Sequence, residues 1–169
     1  GKSGVTTITH FDTSAYEVHF AAEVKEFDAS PYFNDRDQKR YSRNIQYAVS
    51  AASDAVKNSG LNVDSLDKSR AGVILASGMG GMDVYYDTSA TLSNKGPRRV
   101  SPFFIPMAIT NMAAGEVSIR FGFMGPNFTT TSACASSNHA LIAAADQIRL
   151  GRADVMLAGG SEESVSYVS

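Results

Sequence analysis

The chain has 169 residues, of which 43% are hydrophobic and 19% charged, enough apolar material for one sizeable core and no bias towards disorder. A net charge of −2 supplies no overall field that would select nucleic acid or a membrane surface, so local clusters of charge carry more meaning than their sum. The single cysteine excludes an intramolecular disulfide, fits a reducing compartment and leaves one thiol that is either structural or reactive.

Residues 1–34 mix turn residues with short β-prone pieces such as 17–22. Asp35 or Asp37 is placed to cap a helix running to about Asn58. Along it Ile45, Ala48, Val49, Ala52, Ala55 and Val56 recur at helical spacing, and Gly60 stops it. The apolar, partly β-branched run 71–76 predicts a buried strand. A glycine-rich turn, Ser77-Gly78-Met79-Gly80-Gly81, follows, then a helix over 83–93 and a proline-punctuated loop over 96–106. A helix rich in small residues is predicted over 108–121, ended by Gly122. Residues 127–132 read as a strand, 135–150 as an Ala- and Leu-rich helix ended by Gly151, and 153–160 as a second buried strand. Alternating strands and helices predict an α/β fold, with helices covering a mixed sheet. No apolar run approaches the roughly 18 residues of a membrane span. Both ends are expected to continue in a longer protein, since the chain opens on the turn-like Gly1-Lys2-Ser3-Gly4 and closes within the run 161–169.

Cys134 falls between a predicted strand and a long predicted helix. A sharp strand-to-helix turn projects a side chain into a cleft, and a helix N-terminus offers unpaired N–H groups and partial positive charge. Such surroundings favour a thiolate, which attacks thioesters readily. A buried structural thiol suits the same position equally well, and position alone does not choose between the two.

The residues around the cysteine do choose. Thr131-Ser132-Ala133-Cys134-Ala135-Ser136-Ser137-Asn138 resembles the active-site signature of elongating β-ketoacyl-acyl carrier protein synthases of types I and II. The stretch 101–112, Gly78-Met79-Gly80-Gly81, the stretch 122–127 and the stretch 153–162 resemble the same family, in order, over nearly the whole chain. Ser132 stands where that family usually has Thr, a change that keeps the hydroxyl.

The resemblance implies a thiolase-like layered α/β fold, of which residues 1–169 supply most of the first, N-terminal half. The family's first strand would precede Gly1. Two catalytic histidines and a lysine would lie beyond this sequence, so residues 1–169 alone are expected to be inactive. None of His10, His19 and His139 matches those histidines. His10 and His19 are expected at the surface. His139, five positions after the cysteine, does not share a turn with it.

The implied reaction is decarboxylative Claisen condensation in fatty acid elongation, with Cys134 as the acyl-carrying nucleophile and no metal or organic cofactor. Met79, Phe104 and Ile109 match positions of the family's acyl pocket; without the resemblance they read as turn and core residues. Arg36, Lys39 and Arg40, spaced to share one face at a helix start, and the pair Arg98 and Arg99 match basic patches that meet acyl carrier protein. Such clusters are otherwise solvated charge. The further implications are a homodimer in the whole enzyme, no nucleic-acid or membrane partner, and a bacterial cytoplasm or plastid stroma as the compartment. The alternatives are a polyketide-type ketosynthase, a chain-length partner subunit (whose kind lacks the cysteine) and a non-catalytic fragment. Other chemistry lacks its motifs. The glycine turn has no phosphate-loop lysine, no His/Cys cluster has metal-ligand spacing, and Glu162 and Glu163, if on a strand, would point to opposite faces.

Overall fold

The computed structural model describes residues 1–168. Two short strands, β1 (Thr6–Thr7) and β2 (Phe20–Ala21), form a small antiparallel ladder. The central sheet contains β3 (Ala71–Ala76), β4 (Asn127–Phe128) and β5 (Val155–Gly160) in the order β4-β3-β5. Both pairings are parallel. This sheet is therefore not mixed, as the alternation of elements had suggested. Each strand is reached through helical crossovers, and a crossover returns the chain in the same direction.

The helices are α1 (Asp35–Gln38), α2 (Arg43–Ser59), α3 (Met82–Lys95), α4 (Phe104–Ala108), α5 (Met112–Phe121) and α6 (Ser136–Arg149). Side chains alternate across β3. Ala71, Val73 and Leu75 join Ile45, Ala48, Val49 and Ala52 of α2 and Ala113, Ala114 and Val117 of α5 in one core. Ile74 and Ala76 face the other way, onto Ala140 and Ala144 of α6. β3 is buried throughout, as its apolar run predicts. β5 is only half-buried, since it is an edge strand of the sheet, and it borders an open apolar cavity of about 420 Å³ beside α2.

Gly60 ends α2 at φ 72, where a side chain would be strained. The predicted continuous helix to Asn58 is instead two helices. Asn34, rather than Asp35 or Asp37, caps α1, and α2 starts afresh after Ser42. The buried Gln46 holds the break, donating through Nε2 to the carbonyls of Gln38 and Tyr41, both at 2.9 Å. The helix predicted over 108–121 begins only at Met112, and most of α4 falls within the segment expected to be a loop, 96–106. Ile109 is extended (φ −77, ψ 144), and the Ala108 carbonyl accepts from the N–H of Gly81 at 3.1 Å. The Met112 N–H turns to Ile109 instead, at 3.4 Å.

Candidate active site

The predicted strand over 127–132 stops at Phe128. Beyond it the threonine side chains hold the chain in place of a backbone ladder. Thr130 Oγ1 donates to the carbonyl of Ser136 at 2.9 Å, and Thr131 Oγ1 to that of Ser77 at 3.0 Å. Ser132 has φ −153 and ψ 45, and Ala133 has φ 51, a left-handed value that L-residues other than glycine rarely take. Such a conformation costs about 1–2 kcal/mol and persists only where neighbours hold it. Ser136 is one such neighbour. It is buried, accepts the Ser132 N–H at 2.8 Å and donates to the Ala133 carbonyl at 2.7 Å.

Cys134 comes next, in a single 3-10 turn (Ala133–Ala135) that leads into α6. Its thiol is unbridged and exposed. A structural thiol would be packed into a core. This one stands at a strained, braced junction between β4 and α6, with its side chain open to solvent.

The glycine turn after β3 packs against this junction. A Cβ on Gly78 would lie 3.7 Å from Ala133 Cα. Glu162 fixes the turn, accepting from the Gly78 N–H at 2.6 Å and from Ser77 Oγ at 3.1 Å. Ser77 Oγ in turn accepts from Gly80 N–H at 2.8 Å and from Asn44 Nδ2 at 3.1 Å. Ser161 Oγ donates to the Asn44 carbonyl and side-chain oxygens. The ends of β3 and β5, the start of α2 and the turn before Cys134 are thus one polar assembly. Motif reasoning named Ser77, Ser136 and Glu162 without giving them a role, and passed over Asn44. Asn44 carried a signal, since it is a polar residue beside Ile45 at the start of an apolar helical stripe.

Glu162 and Glu163 lie past the end of β5 and have separate partners. Glu163 accepts the Asn44 N–H at 2.5 Å. Burial pushes its carboxyl up from the ordinary 4.5 to about 7; the Asn44 N–H opposes this, and Asp83 and Glu162 add to it. The folded state then retains a proton that the unfolded chain has already released above about pH 4.5. Stability must fall as pH rises from there through 7, by of order 2 kcal/mol after allowance for partial solvent access. Glu163→Gln is expected to flatten this slope and to be more stable than the parent at pH 8, measured by denaturant unfolding at pH 5 and pH 8. An unchanged slope would show that Glu163 does not titrate in this range.

Met79 sits exposed at the tip of the glycine turn. Phe104 and Ile109 are half-buried at the two ends of α4, and Phe104 meets Tyr85 edge-on at 5.5 Å. Gly80 and Gly81 dock this turn on α4, where Cβ atoms would come within 2.5 Å of the Ala108 oxygen and 2.3 Å of the Met107 oxygen. Met79, Ile109 and Cys134 therefore belong to contiguous segments. The 420 Å³ cavity is lined by other residues, among them Ala52, Val56, Leu75 and Leu157.

Of the basic residues, Arg36 lies in α1, Lys39 caps its end and Arg40 follows it, so the three do not share one helix face as their spacing suggested. Arg40 instead stacks its guanidinium 4.8 Å from the ring centroid of Phe103. That contact joins the first basic group to the loop carrying Arg98 and Arg99, both exposed in a short 3-10 turn (Pro97–Arg99). His10 and His19 are exposed, as expected; His10 Nε2 lies 3.1 Å from Asp83 Oδ2, and His19 Nδ1 3.2 Å from Thr13 Oγ1. Among the described residues no cluster of His, Cys, Asp and Glu is arranged to hold a metal.

The sequence profile described as Beta-ketoacyl synthase, N-terminal domain, matches residues 1–169. The chain is 41% identical over 170 residues to 3-oxoacyl-[acyl-carrier-protein] synthase I, chloroplastic, of Hordeum vulgare, covering 98% of this chain and 37% of that protein. It is 40% identical over 169 residues to 3-oxoacyl-[acyl-carrier-protein] synthase 2 of Staphylococcus aureus, covering 100% of this chain and 42% of that protein. The chain thus spans about two-fifths of the length of these relatives. Among solved structures, a β-ketoacyl synthase from Burkholderia phymatum STM815 superposes with a TM-score of 0.83 at 26% identity, over 99% of this chain and 42% of that one. A type II polyketide ketosynthase, solved in complex with its acyl-carrier protein, superposes with a TM-score of 0.81 at 29% identity, over 85% of this chain and 41% of that one. With a strained, exposed cysteine at the β4–α6 junction, the thiolase-like α/β fold of ketosynthases and a profile match along its whole length, the chain belongs to the β-ketoacyl synthase family, in its N-terminal domain.

Proposed function

We propose that the protein containing this chain is a β-ketoacyl-acyl carrier protein synthase of fatty acid elongation. The observation that carries this reading is the exposed Cys134 thiol, presented by a left-handed Ala133 at the start of α6. The Cys134 thiolate attacks the thioester carbonyl of an acyl-carrier protein. The C–S bond to the carrier's phosphopantetheine breaks, the carrier thiol leaves, and the acyl group stays on Cys134. The Cys134 backbone N–H is suited to donate to the oxyanion of the tetrahedral intermediate. Malonyl-acyl carrier protein then loses carbon dioxide, and its enolate carbon attacks the acyl-cysteine. A carbon–carbon bond forms, the Cys134 thiolate departs, and the ketoacyl product is two carbons longer. No step on Cys134 calls for a metal or organic cofactor. The groups that stabilise the enolate are proposed to lie outside residues 1–169.

Met79, Phe104 and Ile109 are proposed to border the acyl chain, with the flexible Met79 side chain as a soft gate. Phe128 on the edge strand β4 and Leu141 and Ile142 on α6 are exposed apolar side chains. Burial of such groups would favour a homodimer of the whole enzyme. A bacterial cytoplasm or plastid stroma is the proposed compartment, given the origin of the relatives, and among the described residues no helix is long and apolar enough to cross a membrane. The polyketide reading has support from the solved complex at 29% identity; the higher identity to the two 3-oxoacyl synthases favours fatty acid elongation. The assay that separates them supplies acyl- and malonyl-carrier protein to the full-length protein. A single two-carbon extension supports the elongation reading, and repeated extension without reduction contradicts it.

The proposed carrier surface comprises Arg36, Lys39, Arg40, Arg98 and Arg99. An acidic carrier bearing a phosphate would be drawn to these cations. Changing Arg98 and Arg99 together to Glu is expected to lower kcat/KM for acyl-carrier protein by about ten-fold or more, equivalent to about 1.4 kcal/mol. A short acyl thioester lacking the carrier should be affected less. Equal loss with both substrates would show that these arginines support the fold instead.

A further inference from the structure

The braces around Cys134 include one whose role the reaction above does not use. Ser136, Thr130 and Thr131 hold the backbone before the cysteine through their hydroxyls. The hydroxyl of Ser132 itself is held by His139, whose Nδ1 lies 2.6 Å from Ser132 Oγ. His139 is in the first turn of α6, a helix anchored on the sheet by the buried Ala140 and Ala144. Ser132 is the residue with φ −153 and ψ 45, directly before the left-handed Ala133.

We propose that His139 is a positioning residue for Cys134, tying the Ser132 side chain to α6 so that Ala133 keeps its left-handed conformation and the thiol keeps its aim. The proposal rests on Cys134 being the acyl-accepting nucleophile. Two successive residues in sparsely populated backbone conformations are strained, and each relaxes towards α or β values unless its neighbours oppose it. Ser136 pins the Ser132 N–H and the Ala133 carbonyl, which fixes the ends of this pair. It leaves the Ser132 side chain free to turn, and the His139 contact removes that freedom. A nucleophile displaced by even a fraction of an ångström loses rate in the bond-forming step, while carrier docking at a separate surface is unaffected. His139 therefore acts through Ser132, without touching the substrate.

The test measures acyl transfer from acyl-carrier protein to Cys134 in the full-length protein by single-turnover kinetics, with Cys134→Ala as the blank. His139→Ala should slow the acylation step about five- to ten-fold, the effect of one lost hydrogen bond, with KM for the carrier substrate unchanged. Ser132→Ala should slow it by a similar factor, and the double variant should be no slower than either single one, because both remove the same contact. His139→Asn, whose amide can reach the same hydroxyl, and Ser132→Thr should each restore most of the rate. Wild-type acylation in both His139→Ala and Ser132→Ala would overturn the positioning role and leave Cys134 as the nucleophile. Equal losses that multiply in the double variant, or a His139→Asn variant as slow as His139→Ala, would also overturn it. Acylation persisting in Cys134→Ala would overturn the nucleophile assignment itself, a result that the His139 variants do not produce.

Discussion

Cys134→Ala in the full-length protein is expected to abolish condensation, with kcat/KM falling by roughly 10⁴-fold or more. The reaction as proposed carries the acyl group through a covalent thioester, and alanine offers no atom to hold it. The same substitution should leave the fold nearly untouched. The Cys134 side chain is exposed, and surface changes of this kind shift stability by about 0.5 kcal/mol or less. The strain at Ala133 and the hydroxyl braces around it involve neighbouring residues and remain in place. Loss of turnover with an unchanged unfolding midpoint would separate chemistry from structure. Turnover retained in the alanine variant would mean that another group accepts the acyl chain.

Gly81→Ala should do the reverse, damaging the structure first. A Cβ at Gly81 would lie 2.3 Å from the Met107 carbonyl oxygen and 3.3 Å from Ala108 Cα. The obstacle is backbone, so it cannot step aside as the tip of a long side chain does. Relief requires α4 to move away from the glycine turn, breaking the 3.1 Å bond from the Gly81 N–H to the Ala108 carbonyl. The φ of Gly81 is −82, so the new methyl would bring no left-handed strain, and the result isolates the close approach. We expect a loss of about 3 kcal/mol, at the high end for single substitutions and typical of overpacking. It should appear as a lower midpoint in denaturant unfolding at an unchanged slope. If Phe104 and Ile109 at the ends of α4 border the acyl chain as proposed, the surviving enzyme should also discriminate acyl chain lengths less sharply. A stability change under about 0.5 kcal/mol would show that the turn and α4 are only loosely docked.

How far the sequence anticipates this structure depends on where each segment's backbone partners lie. The apolar run Ala71–Ala76 and the Gly60 stop are local signals, and both are realised. α3 and α6 fall within two residues of their expected ends, since the glycines just past their C-termini, Gly96 and Gly151, are local signals. The break at Ile109 has a distant cause: the Ala108 carbonyl is taken by Gly81, far away in sequence, and helical propensity carries no sign of that. The early end of β4 is similar. Thr130 and Thr131 look like strand residues, yet their hydroxyls bond to Ser136 and Ser77.

The site divides along the same line. Cys134 and the flanking signature are consecutive residues, and the sequence singles them out. The residues that brace them come together only in three dimensions. Glu162 reaches the glycine turn across 84 positions of sequence, and Ser161 reaches Asn44 across 117. The basic residues show the limit of helical spacing as a guide. Arg36 and Arg40 are four apart, but α1 ends between them, and Arg40 finds its partner in the ring of Phe103.

The most direct measurement is to expose the full-length protein to acyl carrier protein charged with an acyl thioester, without malonyl substrate, quench with acid, digest with trypsin and weigh the peptides. If Cys134 is the acyl acceptor, the mass of one acyl group, less the hydrogen it replaces, appears on the peptide spanning 121–149. Fragmentation then places it at Cys134, and hydroxylamine removes it as expected of a thioester. An unmodified 121–149 peptide together with acyl mass on another residue, while condensation proceeds on adding malonyl substrate, would contradict the account.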